Sequence, residues 1–233
     1  MRINKIAVTG FLACIFLTGG IMNCEEPSKA KDIKAEPQKV ESPKVIKLLN
    51  PETDKGMPLM TALKNRKTSR EFSTQELPRQ VLSNLLWAAF GVSRSETGYR
   101  TAPSAVNRQE IDIYVALPEG LYLYDANTSV LVQVLSRDIR ALTGKQPFVK
   151  IAPLNLIYVA DLSKMGKNTD EEKNFYAATD TGFISENVYL FCASEGLATV
   201  VRGFVDKEGL GKVMNLRPEQ KIILAQTVGY PKK

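Results

Sequence analysis

Apolar residues recur at helical spacing in three places along the chain. Pro58 to Lys64 carries Leu59, Met60 and Leu63 on one side, and Val81, Leu82, Leu85, Leu86 and Ala89 follow Pro78 and stop at Gly91. A proline in the first turn and a glycine past the end fit that second helix. The third candidate, Asp170 to Glu195, spreads Phe175, Ala178, Phe183, Ile184, Val188, Leu190 and Phe191 around more than one face. Such a helix needs cover on both sides. That cover comes either from its own chain or from a second subunit, which makes this helix the candidate core of a dimer. Gly182 and the run Ala177 to Thr179 permit close packing.

Between the helices, short apolar runs predict strands. Ile111 to Leu117 and Leu121 to Tyr124 flank Pro118-Glu119-Gly120 as a hairpin, and Leu154 to Ala160 is continuous enough to be buried on both faces. Lys221 to Val228 is a further strand, and Gly196 to Phe204 reads as a helix end, a short extended segment and a turn. Short helices are expected around Leu131 to Leu142 and from Asp206 to Met214, with a polar loop from Ser93 to Gly98. Trp87, the single tryptophan, is expected in the core, the alternative being a ring platform for a ligand. Strands and helices mix without a strict βαβ repeat, which favours an α+β layer. No glycine fingerprint of a Rossmann or P-loop site opens a helix.

The front of the chain is different. Arg2 and Lys5 precede an almost uncharged run from Ile6 to Met22, the shape of a secretory leader. Cys24, after Ile21-Met22-Asn23, resembles a lipoprotein cleavage box in which Asn23 replaces the usual small residue. Cleavage after Ser28-Lys29-Ala30 and an uncleaved anchor are the alternatives. From Glu25 to Gly56, lysines alternate with acids among Pro27, Pro37, Pro43 and Pro51, the composition of a disordered tether. The expected organisation is therefore a leader over 1–24, a tether over 25–56 and one domain over 57–233. Export is expected, to a periplasmic or membrane-anchored location in a bacterium, with a membrane tether through Cys24.

Composition then removes whole classes of chemistry. The 233 residues include no histidine, so Ser-His and Cys-His nucleophilic systems are excluded along with the commonest transition-metal ligand. Of three cysteines only Cys192 belongs to the domain, too few for a disulfide framework or a thiolate metal site. It reads as a small core residue. A net charge of +6, without a basic stripe interleaved with aromatics, is no nucleic-acid footprint. Chemistry in this chain is expected from an organic cofactor.

One stretch concentrates charge. Asn65-Arg66-Lys67-Thr68-Ser69-Arg70-Glu71-Phe72 packs three cations and two hydroxyls into five residues directly after the first helix. Guanidinium pairs, an ammonium and hydroxyls together suit a phosphate. A solvated helix end would look the same on its own.

Four stretches in order narrow the choice: Arg66 to Phe72, Pro103-Ser104-Ala105-Val106-Asn107-Arg108-Gln109, Gly196 to Phe204, and Val228-Gly229-Tyr230-Pro231-Lys232. Together they resemble the FMN-dependent nitroreductase superfamily over roughly Met57 to Lys233. Leu85-Leu86-Trp87-Ala88-Ala89 and Gly120-Leu121-Tyr122-Leu123-Tyr124-Asp125 are similar to the branch of azoline-oxidising dehydrogenases of thiazole and oxazole peptides.

The resemblance implies an α+β homodimer, with a mixed, mainly antiparallel sheet flanked by helices, and two FMN sites at the subunit interface. It implies that Arg66, Lys67, Thr68 and Arg70 hold the FMN phosphate and ribityl chain, with Lys232 as a second cation. Pro103, Ser104, Ala105 and Asn107 match the loop that reaches the flavin from the partner subunit. Val200, Val201, Arg202 and Gly203 match the segment against the ring edge.

Arg202 stands where classical members often carry an acid, so a more positive field at the flavin pyrimidine is expected. No tyrosine here is preceded by lysine, so the Lys-Tyr pair associated with azoline oxidation is missing. The implied activity is ping-pong hydride transfer from NAD(P)H or another small-molecule donor to a nitroaromatic, quinone or similar acceptor, with no protein nucleophile. The acceptor pocket is expected to draw on Ser93 to Arg100 and on residues near Gln146. The alternatives are a substrate-specific flavin dehydrogenase and an exported flavin-binding protein without turnover.

Overall fold

The computed structural model describes residues 43–233; the leader, Cys24 and the tether up to residue 42 lie outside the described residues. The elements run β1 (Val45–Lys47), α1 (Leu59–Asn65), α2 (Arg79–Phe90), β2 (Val92–Arg94), β3 (Tyr99–Arg100), β4 (Ile111–Leu117), β5 (Gly120–Asp125), β6 (Val130–Leu135), β7 (Leu154–Asp161), α3 (Asp170–Glu195), β8 (Ala198–Arg202), α4 (Lys207–Val213) and β9 (Gln220–Gly229). Seven strands form one sheet in the order β1-β6-β5-β4-β7-β9-β8, and every neighbouring pair is antiparallel. Helices cover it, so the α+β class holds.

Period-two alternation divides the core between the two faces. Ile113, Val115, Leu156 and Tyr158 point to the α2 and α3 side and meet Leu85, Leu86, Ile184 and Val188. Tyr114, Ala116, Ile157 and Val159 point the other way, against Leu210 and Met214 of α4 and its surroundings. Every residue of β7 is buried, as its continuous apolar run predicts. Gly120 at φ +155 is required in the β4–β5 hairpin, because a Cβ there would collide with the Leu135 carbonyl oxygen.

The structure corrects two expectations. The tether does not extend to Gly56, because β1 pairs with β6 and Leu49 N–H and Met57 N–H donate to Ser83 Oγ and Ser194 Oγ at 2.9 and 2.7 Å. Val45-Ile46-Lys47-Leu48-Leu49 is a local apolar run within the tether, and edge pairing together with the packing of Ile46 and Leu48 against the core orders it. The helix expected around Leu131 to Leu142 is instead β6, followed after a bend by a 3-10 turn at Arg140–Leu142. Valines at 130, 132 and 134 favour a strand, and pairing with β5 fixes it.

Helix α3 opens on a capping box between Thr169 and Glu172 and closes on Gly196 in the left-handed conformation, φ +68. Its buried stripe is Ala177, Asp180, Thr181, Ile184, Ser185, Val188, Tyr189 and Cys192. Among the described residues the other stripe is left bare: Phe175 is 64% and Phe183 45% exposed, and on α1 Met60 is 75% exposed. Cys192 is fully buried, and burial pushes its thiol well above the ordinary range, as suits a core residue. Trp87 is half-buried, donating its indole N–H to the Val92 carbonyl at 3.0 Å.

Candidate functional site

The cationic segment begins where α1 stops. Arg66 donates its N–H to Ala62 O and then turns extended, with φ −55 and ψ 124. From there the chain runs along the open end of the sheet. Ser69 N–H donates to Thr199 O of β8 at 2.9 Å, Ser73 N–H to Tyr230 O at 2.9 Å, and Phe72 bridges to Pro231. The Phe72 ring is buried beside Phe148, Ala152, Ala198 and Val200, and this apolar plug seats the strip. Lys232 N–H donates to Glu71 O at 3.3 Å, so Lys232 arrives one residue from Arg70. Tyr189 of α3 joins the strip to the strand: its hydroxyl accepts Val201 N–H at 3.0 Å and lies 3.2 Å from Thr68 Oγ1, with the Arg66 guanidinium 5.4 Å from the ring centroid.

Thus one strip carries Arg66, Lys67, Thr68 and Arg70 past the edge of β8 at Val201, and the backbone of Lys232 pairs with it at Glu71. Among the described residues none of the four cations is in an ion pair. Cations that no carboxylate neutralises, although Glu71 lies in the same strip, match the donor set of a phosphate dianion. A cleft of about 470 Å³ opens beside them, lined by Lys67, Ser69, Tyr189, Gly196, Thr199 and Pro231. A groove of about 490 Å³ between α4 and the start of β9 contains none of the expected residues.

Strand β8 leads from this cluster to Gly203. Gly203 is exposed, and a Cβ added there would meet only Leu224 Cδ2, at 3.7 Å. Beside it Phe204 is 62% exposed, with the Lys145 ammonium 5.3 Å from its ring centroid and Lys145 N–H donating to its carbonyl at 3.3 Å. Lys145 and Phe204 thus meet beside Gln146, one of the two regions named for the acceptor pocket.

Arg202 corrects its expected role. Alternation along β8 turns its side chain away from Tyr189, and only 5% of it is exposed. The guanidinium donates to Thr143 O at 2.6 Å and to Asn155 Oδ1 and Thr227 Oγ1 at 2.9 Å each, 5.9 Å from the Phe148 ring centroid. No carboxylate pairs with it among the described residues, and burial lowers its pKa to about 10. It is a strut within the core, and only its backbone remains available to the open side of β8.

The Pro103 loop lies elsewhere in the same chain. Ala105 N–H donates to Asp180 Oδ2 at 2.8 Å, nine residues before Tyr189 on α3, which is roughly 13 Å along the helix axis. Ser104 Oγ accepts Gln109 N–H at 3.0 Å, and Val106, Asn107 and Gln109 all hold positive φ. Val106 is 85% exposed at the tip. Pro103, Ser104, Ala105 and Asn107 therefore form one built projection, which the chain does not bring to its own cationic cluster. Sequence reasoning missed Tyr189, Phe204, Asp180 and Glu110. A tyrosine on a buried helical stripe and a carboxylate opening a strand carry no local signal.

Comparison with known proteins supplies the frame for this geometry. The family described as Nitroreductase family matches residues 63–230. The chain belongs to the nitroreductase family. A Methanocaldococcus jannaschii protein assigned to the nitroreductases is 34% identical over 161 residues, 64% of this chain and 81% of that protein. A crystal structure of a Ralstonia eutropha protein, also assigned as a nitroreductase, is 45% identical with a TM-score of 0.78, covering 81% of this chain and 90% of that one. The Escherichia coli microcin synthetase McbBCD complex yields a chain of the same fold, with a TM-score of 0.63, 18% identity and coverage of 81% and 79%. In this chain the family match begins at Leu63 and ends at Tyr230, so it includes the cationic strip, the Pro103 loop and the Gly203 turn.

Proposed function

We propose that this nitroreductase is a homodimeric FMN-dependent oxidoreductase that passes a hydride from a nicotinamide or other small-molecule donor to a nitroaromatic, quinone or similar acceptor. The observation that carries the reading is the unpaired set Arg66, Lys67, Arg70 and Lys232 gathered beside the open end of β8. FMN, when bound, supplies two-electron chemistry and the dianionic phosphate that those cations lack. Arg66, Arg70, Lys67 and Lys232 would hold the phosphate, and Thr68, fixed by Tyr189, the ribityl hydroxyls. Gly203 leaves room for a ring to approach the backbone, while Phe204 and Lys145 border the acceptor side. Dimerisation would cover Phe175, Phe183 and Met60 and bring the partner's Pro103 to Asn107 projection to the ring. The absence of histidine is no obstacle, since no protein nucleophile is required.

The test is the visible spectrum of the purified protein. A yellow dimer bleached by NADH or NADPH is the expected result. A colourless protein that cannot be reconstituted with FMN would overturn the reading, and so would stoichiometric flavin retained by the Arg66→Ala, Arg70→Ala double variant. Export through the Ile6 to Met22 leader, with lipid attachment at Cys24, is part of the proposal. Fractionation and lipid labelling of Cys24→Ser against the parent test it, and an unprocessed cytoplasmic product would sink it.

A further inference from the structure

Two carboxyl groups stand in the dry interior beneath the Pro103 loop. Glu110, the first residue after that loop, is 0% exposed, and Asp180 on α3 is 2% exposed. Asp180 Oδ2 accepts Ala105 N–H at 2.8 Å. Among the described residues no group donates a hydrogen bond of good geometry to either carboxyl oxygen of Glu110. Its own N–H and the Lys164 ammonium offer partial compensation, but that ammonium is already bonded to Gln109 O and Asp112 Oδ1. The side chain within reach is Asp180 itself, which as a carboxylate has nothing to donate. Two ionised carboxylates side by side in a buried site repel each other, and a proton on Glu110 relieves that repulsion.

We propose that Glu110 and Asp180 are positioning residues that share one proton, the Glu110 O–H donating to Asp180, and that this proton holds the Pro103 to Asn107 projection in the shape that meets the partner subunit's flavin. The role assigned to the projection rests on the function proposed above; the shared proton does not. Three residues in the left-handed region, Val106, Asn107 and Gln109, make the projection costly to hold. Its backbone anchor on α3 is the Ala105 bond to Asp180, so repulsion within the carboxyl pair acts directly on the projection. Burial first, and the Asp180 charge after it, raise Glu110 to about 7, which puts loss of the proton in the neutral range. Asp180 on α3 and Lys164 on the 3-10 turn Leu162–Met165 are the charged groups that face it.

The experiment compares full-length wild type with Glu110→Gln, whose amide N–H donates to Asp180 at every pH. Amide exchange of residues 104–109 without added flavin, corrected for intrinsic base catalysis, and FMN titration are both followed from about pH 6 to about pH 8.5. Wild type should lose protection and FMN affinity by about tenfold across that range, as the protonated fraction falls, while Glu110→Gln stays flat. Parallel pH profiles in the two proteins would overturn the proposal. Should neither protein bind FMN, the flavin reading fails while the exchange comparison still decides the shared proton. If Glu110→Gln does not fold, Asp180→Asn keeps the acceptor for Ala105, donates to Glu110 and should likewise abolish the pH dependence.

Discussion

The Tyr189 hydroxyl accepts the Val201 N–H at 3.0 Å and lies 3.2 Å from Thr68 Oγ1, so one phenol on α3 fastens the cationic strip to the open side of β8. With its acceptor capacity used by Val201, its proton is free to point at Thr68. The strip is therefore held by side-chain chemistry as well as by the Ser69 and Phe72 backbone contacts.

Tyr189→Phe should expose the worth of that junction. The Val201 N–H loses its partner, which costs about 1–3 kcal/mol. Urea unfolding should record that loss, and FMN titration a weaker affinity, since Thr68 loses a fixed support while the ring beneath Arg66 remains. Unchanged values in both would mean that the backbone contacts alone hold the strip.

Arg202→Met should damage stability more than electron transfer. Thr143 O, Asn155 Oδ1 and Thr227 Oγ1 would each lose a guanidinium donor, and two or three buried groups left short of partners cost on the order of 2–4 kcal/mol. The flavin midpoint potential of the folded variant should stay close to that of wild type, measured by spectroelectrochemistry. A large shift in potential without loss of stability would restore Arg202 to the flavin field.

Stability should fall with rising pH over one particular window. Glu110 has an ordinary carboxylate pKa of 4.5 unfolded and is raised to about 7 by burial in the folded chain. Between those values the native state holds a proton that the unfolded state has released, so stability declines as pH rises from about 4.5 to about 7 and is flat beyond. The decline attributable to this group is on the order of 3 kcal/mol. Urea unfolding at a series of pH values measures it, and Glu110→Gln should remove that part of the slope.

Phe183→Glu places a charge on the bare stripe of α3, where the wild-type ring is 45% exposed. A face that a second subunit covers cannot accept that charge, so sedimentation should find a monomer with reduced flavin occupancy. A dimer as tight as wild type would locate the subunit contact elsewhere.

The helices at 59–65, 79–90 and 170–195, the buried strand β7 and the β4–β5 hairpin were legible in the chain, because each is specified by local periodicity and turn chemistry. The cationic strip was equally visible as composition. Tertiary structure alone decided what stands beside its charges: Lys232 arrives at Glu71, next to Arg70, from the far end of the sequence because Pro231 bridges to Phe72. It also decided against the sequence at three points. Pairing with an open edge turned part of a polar tether into β1, pairing with β5 turned an expected helix into β6, and strand alternation swung Arg202 into the core. Edge pairing, side-chain direction on a strand and the meeting of Glu110 with Asp180 depend on residues far apart in the chain. Sequence patterns report what a segment prefers; its neighbours in space determine which face it shows and whether a buried charge keeps its proton.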